Sequence, residues 1–327
     1  MKPILYSSTE TAFDTNGIGV LVDAIECRVT EELNGTYELT LRYPLKGIHA
    51  ESLTNRAIIL AKPNPVADPQ PFRIYRRLPV SQGLITIRAR HIAYDLMGHV
   101  VSPFSAAGAP AALAGLKANS VPECPFSFWT DKAAPSTMTV TKPAAIWSLL
   151  GGVKGSVLDC FGGEYEFDRF QVKLWTQRGS DQGVSIRYGK NLTSLEQDEN
   201  CANCYTGIYP FWASADESQS VVVMLPERIV NAEGNFNHTR ILPVDFSFEW
   251  PEAPTEDMLR ARAERYVTEN QIGVPDVSLK VQHVSLDQTS EYAGRIPLER
   301  VVMGDTVSVF FSGNGCFGIL QSRGHGL

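Results

Sequence analysis

The sequence predicts a mainly β protein with α+β inserts, organised as two β units. Three observations carry this. From Phe161 to Trp212, and again from residue 21 to 43, apolar and polar residues alternate with period two; that period sets one face of a strand on a core and the other in water. From about residue 96 to 160 the alternation stops while Pro, Ala and Gly rise. Near Thr255 one stretch switches to helical spacing.

The clearest hairpin comes first. Ile25, Cys27 and Val29 alternate with Glu26, Arg28 and Thr30, and Tyr37, Leu39, Leu41 and Tyr43 alternate with Glu38, Thr40 and Arg42. Asn34-Gly35 between them suits the positive φ of a tight turn. Ala57–Lys62 is the next strand, and the proline-rich stretch from Pro63 to Pro71 is a rigid loop. Phe72–Val80 and Leu84–Ile92 form another hairpin around Ser81-Gln82-Gly83. Residues 1–95 therefore read as an antiparallel, barrel-like unit.

In the stretch from 96 to 160, short helices are expected over Pro110–Ala118, Ala144–Leu150 and Gly155–Cys160. Pro143 suits the start of the second and Gly151-Gly152 its end. Strands return at Glu164–Phe167 and Phe170–Trp175, a hairpin across Asp168-Arg169, followed by the turn Arg178-Gly179-Ser180-Asp181. Val184, Ile186 and Tyr188 mark one more strand, ending at Gly189-Lys190-Asn191, where Gly189 is expected to need a conformation that other residues dislike.

Beyond Leu192 the expected strands are Ala202–Trp212, Ser220–Leu225, Arg240–Phe248, Val277–Leu286 and Arg300–Phe311. One helix interrupts them over 255–271. Thr255 is its N-cap, Leu259, Ala263, Tyr266 and Val267 line one side, Glu256 and Arg260 pair at i,i+4, and Gly273 and Pro275 stop it. The tail SGNGCFGILQSRGHGL reads as Gly-rich and polar where a closing strand is wanted, as a truncation or a foreign tail would.

With 327 residues, 43% hydrophobic and 20% charged, the chain is globular and long enough for two cores. The net charge of −7 lacks the basic excess of a nucleic-acid-binding protein and would repel passing DNA. No signal-peptide-like start and no 18-residue apolar run occurs, so a soluble protein made in a cytosol is expected, with its six cysteines reduced.

The residues that could carry chemistry are few. No H-E-x-x-H, G-x-S-x-G or G-x-x-x-x-G-K-[ST] is present, and Gly151-Gly-Val-Lys-Gly-Ser has the wrong spacing for a phosphate loop. Cys201 and Cys204 form a single CxxC without two further zinc ligands, so core thiols are preferred over a metal or redox pair. His91 and His99 lack a carboxylate cluster and read as packing or exposed residues rather than ligands. Glu196, Asp198 and Glu199 could serve glycosidic acid/base work, but a solvated strand edge is the simpler reading. Phe126, Phe128, Trp129 and Trp147 could line a ligand groove, but a small insert needs its aromatics as core. No catalytic, cofactor-binding or metal-ligating residue is assigned, and no cofactor is expected.

Several of these segments also carry a resemblance. Phe161-Gly-Gly-Glu with Asp168, Val172 and Leu174, then Ile186-x-Tyr-Gly-Lys-Asn-Leu192, resembles the phage tail-hub family, the N-terminal region of siphophage tail-associated proteins labelled prophage endopeptidase tail or phage minor structural protein. Asn34-Gly-Thr-Tyr-Glu-Leu, Arg42-Tyr-Pro44, Pro71-Phe-Arg-Ile-Tyr75, His91-Ile-Ala-Tyr-Asp-Leu96, Cys124-Pro-Phe-Ser-Phe-Trp-Thr-Asp131, Ile241-Leu-Pro-Val-Asp245 and Gly304-Asp-Thr-Val307 are similar in the same order, and the likeness ends after Phe311.

The resemblance implies two related β-barrel-like tube domains similar to those of the contractile-tail baseplate hub. The first would be 1–95 plus 161–190, interrupted by a small α/β domain at 96–160; the second would be 191–327 with helix 255–271 as an insert. It further implies a homotrimer at the tail tip or baseplate of a phage or prophage. Such a hub docks on the distal tail protein, meets the tape measure, closes the tail tube, and reaches the host surface through further domains of longer relatives. The label endopeptidase is matched by no catalytic motif here. A cell-wall-degrading endopeptidase and a carbohydrate-binding adhesion module stay open as alternatives.

Overall fold

The structure, a computed structural model, describes residues 2–64, 67–80, 83–133, 136–187, 190–202, 204–214, 221–234, 236–247, 249–250, 252–283, 301–313 and 316–323. The chain is mainly β and divides into two compact units, 1–191 with 285–327, and 192–284.

The first unit starts with seven strands: β1 (Ile4–Tyr6), β2 (Gly19–Val20), β3 (Glu26–Glu31), β4 (Tyr37–Pro44), β5 (Ile58–Ala61), β6 (Gln70–Val80) and β7 (Leu84–His91). They form one antiparallel sheet in the order β2-β1-β5-β6-β7-β4-β3. Its two edges, β2 and β3, are consecutive in the chain and joined only by residues 21–25. A flat sheet would hold those edges about 29 Å apart, whereas the link reaches at most about 22 Å. The sheet must therefore curl into a half-barrel. The link is pinned at both ends, by Leu21 N–H to the Pro3 carbonyl (2.9 Å) and Ile25 N–H to the Arg42 carbonyl (3.0 Å).

Period-two alternation fills this half-barrel. Leu39, Leu41, Tyr43, Phe72, Ile74 and Ile87 point inward and are fully or nearly fully buried. All four residues of β5 are buried, because its two faces serve different cores. Ile59 and Ala61 face the half-barrel, while Ile58 and Leu60 face a second core made largely by the segment that follows. Asn34 takes the positive φ of the β3–β4 turn.

That segment contains β8 (Val100–Val101), β9 (Phe104–Ala107), α1 (Ala109–Ala118), β10 (Ser120–Val121), β11 (Ser127–Thr130), β12 (Thr137–Val140), β13 (Ala144–Ala145), α2 (Ile146–Leu150) and α3 (Val157–Phe161). The three expected helices are present. The second begins after Ala145, because Ala144 and Ala145 pair with Val101 and Val100 as a strand first. Ser156 caps α3 by accepting the Asp159 N–H. Leu116, Phe126, Met138 and Ile146 are buried together; each such side chain contributes on the order of 1.5–3 kcal/mol. The expected hairpin is β14 (Glu164–Asp168) with β15 (Gln171–Trp175) across Arg169, which has φ 51°. β15 also pairs in parallel with β11, and Tyr165, Val172 and Leu174 enter the same core.

The unit closes with β16 (Asp181–Arg187), which pairs in parallel with a strand far along the chain, Thr306–Gly313. In the other unit, β17 (Leu192–Asn200) pairs with a strand over Asp276–His283. β18 (Gly207–Ala213), β19 (Val222–Met224), β20 (Val230–Asn231) and β21 (Ile241–Asp245) make a four-stranded sheet. The helix α4 (Glu256–Glu269) lays Leu259 and Ala263 against Ile208, Val244 and Phe246 of this unit. Thr255 caps it as expected. Arg260 departs from expectation: it ignores Glu256 and bonds Asp257 and, by both arms of its guanidinium, Glu227 (2.6 and 3.1 Å). A planar fork prefers the bidentate partner.

The remaining strands are β22 (Asp276–His283), β23 (Thr306–Gly313) and β24 (Cys316–Arg323). β23 starts later than the expected Arg300, since Gly304 takes φ 89° and Asp305 accepts the Val302 N–H in a turn. The tail corrects the sequence reading. Cys316–Arg323 is a strand, paired antiparallel with all of β23; its glycine and polar residues hid an alternation that backbone pairing did not need. Gly189 lies outside the described residues, as do 284–286 of the strand expected there.

Candidate functional site

A polar junction lies where β14, β15 and the following turn meet the half-barrel. Gln70, at the start of β6, is its centre. Its Oε1 accepts the Arg169 N–H (2.7 Å) and faces His91 Nε2 (3.2 Å), while its Nε2 donates to Asp168 Oδ1 (3.0 Å). His91 Nδ1 accepts the Ala93 N–H, so the proton of the neutral ring sits on Nε2 and donates to Gln70. The ring is fully buried and stacks on Tyr37 at 4.6 Å. Burial pushes its pKa down to about 3 against a small opposing pull from Asp168.

Beside it, Glu31 pairs with Arg178 at 2.6 Å, and Arg178 also donates to the Tyr165 carbonyl. Asn34 completes the junction: its Nδ2 donates to the Gly163 carbonyl (3.0 Å) and its Oδ1 accepts the Tyr165 N–H (2.8 Å). The cavity here measures about 420 Å³ and is lined by Glu31, Asp68, Gln70, Glu166, Asp168 and Arg178, among others. Each of these polar groups except Asp68 bonds a neighbour that joins two elements.

The residues weighed from sequence are placed as follows. Cys201 is exposed and Cys204 half-buried, with the Cys204 N–H bonding the Cys201 carbonyl (3.1 Å) in a tight turn. The core-thiol reading is thus corrected for Cys201, because the turn precedes the strand instead of belonging to it. Among the described residues no group of three His, Cys, Asp or Glu side chains could hold a metal. His91 and His99 part company: His91 is buried, while His99 Nδ1 lies 3.1 Å from the Pro122 carbonyl at the surface. Glu196 and Asp198 are exposed on β17, which pairs on one side with β22, Glu196 opposite Lys280, and is an edge of that two-stranded sheet among the described residues, as expected.

The four aromatics also separate. Phe126 is core, and Trp147 stacks between Tyr94 (4.2 Å) and Phe167 (5.7 Å). Phe128 and Trp129 line an apolar groove of about 540 Å³ against Leu113 and Ala114 of α1, with Trp129 edge-on to Trp175.

Sequence reasoning missed the outer face of the half-barrel. Across β3, β4, β7 and β6 it carries the row Arg28, Thr40, Arg88, Arg76, flanked by rows holding Arg42 on one side and Glu38, Arg90 and Arg73 on the other. Arg90 bonds Glu38 (2.9 Å) and lies over the Tyr75 ring, and Arg73 forks onto Asp95. The signal was present as Arg88 and Arg90 at alternate positions of β7, with Arg73 and Arg76 on β6 and single arginines on β3 and β4, but a net negative total concealed it.

Neither a protein-family profile nor a curated protein sequence matches the chain. Solved structures do. The chain is similar to prophage tail protein gp18 of Listeria monocytogenes EGD-e at 13% identity and TM-score 0.55, over 98% of this chain and 88% of that one. A tail protein of Neisseria meningitidis MC58 matches at 9% identity and TM-score 0.57, over 99% and 90%. The prophage MuSo2 43 kDa tail protein of Shewanella oneidensis matches at 11% identity and TM-score 0.59, over 100% and 93%. The chain has the fold of these phage tail proteins, in agreement with the resemblance drawn from its motifs. The likeness runs through its whole length, including both β units and the segment between β7 and β14.

Proposed function

We propose that the chain is a structural protein of a phage or prophage tail, acting as the tail-tip or baseplate hub. Three copies form a ring that docks on the distal tail protein, meets the tape measure and closes the tail tube. The observation that carries this reading is the seven-stranded half-barrel in a chain whose full-length likeness is to tail proteins. The polar groups of the junction are spent on joining elements, which suits a scaffold better than a catalyst. The chain works as part of the virion tail and needs no cofactor.

Light scattering tests this, on the purified chain alone and mixed with its distal tail partner. A trimer, or three copies on a hexamer of the partner, is expected. A stable dimer in both samples, or no complex at all, overturns the hub. Peptidoglycan cleavage abolished by one point substitution would replace it with an endopeptidase.

A second reading rests on the groove beside Trp129, which suits a sugar ring stacked on an indole. Glycan-array binding that Trp129→Ala removes, with the fold intact, would establish a carbohydrate-binding adhesion role.

A further inference from the structure

The outer face of the half-barrel has a charge opposite to that of the chain. Arg28, Arg88 and Arg76 form its middle row, Arg42 lies beside them, and Arg90, Arg73 and Arg56 continue towards Asp95. Against these seven arginines stand three carboxylates, Glu26, Glu38 and Asp95. The face therefore carries +4, and because the whole chain carries −7, the remainder carries −11. Arg76 and Arg88 are exposed and have no carboxylate partner among the described residues.

An apolar patch adjoins this face. Asp23 Oδ2 accepts the Ile48 N–H (2.8 Å) and the Ile25 N–H donates to the Arg42 carbonyl, so the loops at 21–25 and 45–48 lie together. They expose Val22, Ile25, Leu45 and Ile48, with Ile25 at 57% and Ile48 at 56%. Large aliphatics gathered at one place mark a protein contact. Arginine and tyrosine beside an apolar centre are what such contacts select, and Tyr75 is itself exposed beneath Arg90.

We propose that this face, with the aliphatic patch at its end, is the subunit interface of the ring and receives the acidic surface of a second copy of the chain. The inference rests on the ring reading above and adds the surface that builds it. Its charge decides the symmetry. A two-fold contact would lay the face on itself, +4 against +4. A head-to-tail contact sets it on a remainder of −11, and head-to-tail contacts make rings where their rotation closes. Arginine suits the task because its fork binds carboxylates two at a time.

The experiment compares the wild type with R76E/R88E and with I25D/I48D by light scattering across a salt series. The exchanged side chains are exposed, so the far-ultraviolet circular dichroism of the variants should match the wild type and serves as the folding control, since loss of the ring by itself lowers the melting temperature. The wild type should form a trimer that weakens as salt is added, and each double variant should raise the dissociation constant about a hundredfold. A wild-type ring that both variants form equally well overturns this interface and leaves the ring reading standing. A wild type that forms a stable dimer overturns both. A wild type that stays monomeric alone overturns this interface, while docking on the distal tail protein is decided by its own experiment. Binding of labelled duplex DNA lost in R76E/R88E, without self-association, overturns the interface in favour of a nucleic-acid partner.

Discussion

Glu31 and Arg178 stand 147 residues apart in the chain and form an ion pair of 2.6 Å, with side-chain exposures of 8% and 17%. It ties the end of β3 to the turn after β15. Losing one member of a largely buried ion pair is strongly destabilising, at about 3–5 kcal/mol. Glu31→Ala should cost that much in urea unfolding, and Glu31→Gln clearly less, since its amide oxygen still accepts a hydrogen bond. Equal, small costs would show that water reaches the pair.

His91 predicts a pH dependence. Its pKa is held at about 3 in the fold against about 6.5 in the unfolded chain. The unfolded state therefore takes up the proton first as pH falls. Stability from this group is complete above pH about 6.5 and declines down to pH about 3. Between pH 7 and 5 the loss is about 2 kcal/mol. His91→Gln cannot titrate and should lower stability at pH 7 yet flatten this slope. A slope unchanged in the variant assigns the acid sensitivity to other groups.

The strands of the half-barrel were legible because each shows alternation that local sequence carries. The curl was legible only once β2 and β3 proved to be opposite edges, a fact of pairing and not of pattern. The same limit applies to β16 and β23: strands more than a hundred residues apart leave no local trace of a parallel register. β24 went unread because Gly318, Gln321 and Ser322 make a poor apolar stripe. Gln70 and Asn34 were invisible as junction residues, since polar side chains near turns ordinarily satisfy their own backbone, and these two reach β14 and the residues just beyond its two ends instead.

Thr255 tests the one long helix. Its Oγ1 accepts the Met258 N–H (3.3 Å), filling one of the donors that a helix start leaves open. Thr255→Ala should lower stability by about 1 kcal/mol and Thr255→Ser by less. Because α4 covers the β18 sheet through Leu259 and Ala263, the loss should show as earlier hydrogen exchange of residues 256–259 than of the β1–β7 sheet.

The crossing of Gly179 and Gly304 is where the first unit takes in its last strands. Both have positive φ, 76° and 89°, and each would drive a Cβ into the other's side of the crossing: Gly179 into the Gly304 carbonyl, Gly304 into the Arg178 carbonyl. Asp305, buried at their side, accepts the Ser180 and Val302 N–H groups (2.9 Å each), and the Thr306 N–H reaches the Ser180 carbonyl, which starts the β16–β23 pairing at Asp181 and Thr306. Two costs add for Gly304→Ala, left-handed strain of about 1 kcal/mol and displacement of packed backbone of about 1–3 kcal/mol. Gly152→Ala supplies the control, since Gly152 has φ 86° but nothing within 4 Å of its Cβ position. It bears the strain alone and should cost about 1 kcal/mol. Chemical denaturation of both variants separates the terms. A Gly304→Ala cost no larger than that of Gly152→Ala would mean that the two backbones can part without loss, and that Asp305 and the strand pairing hold β23 on β16 without the close crossing.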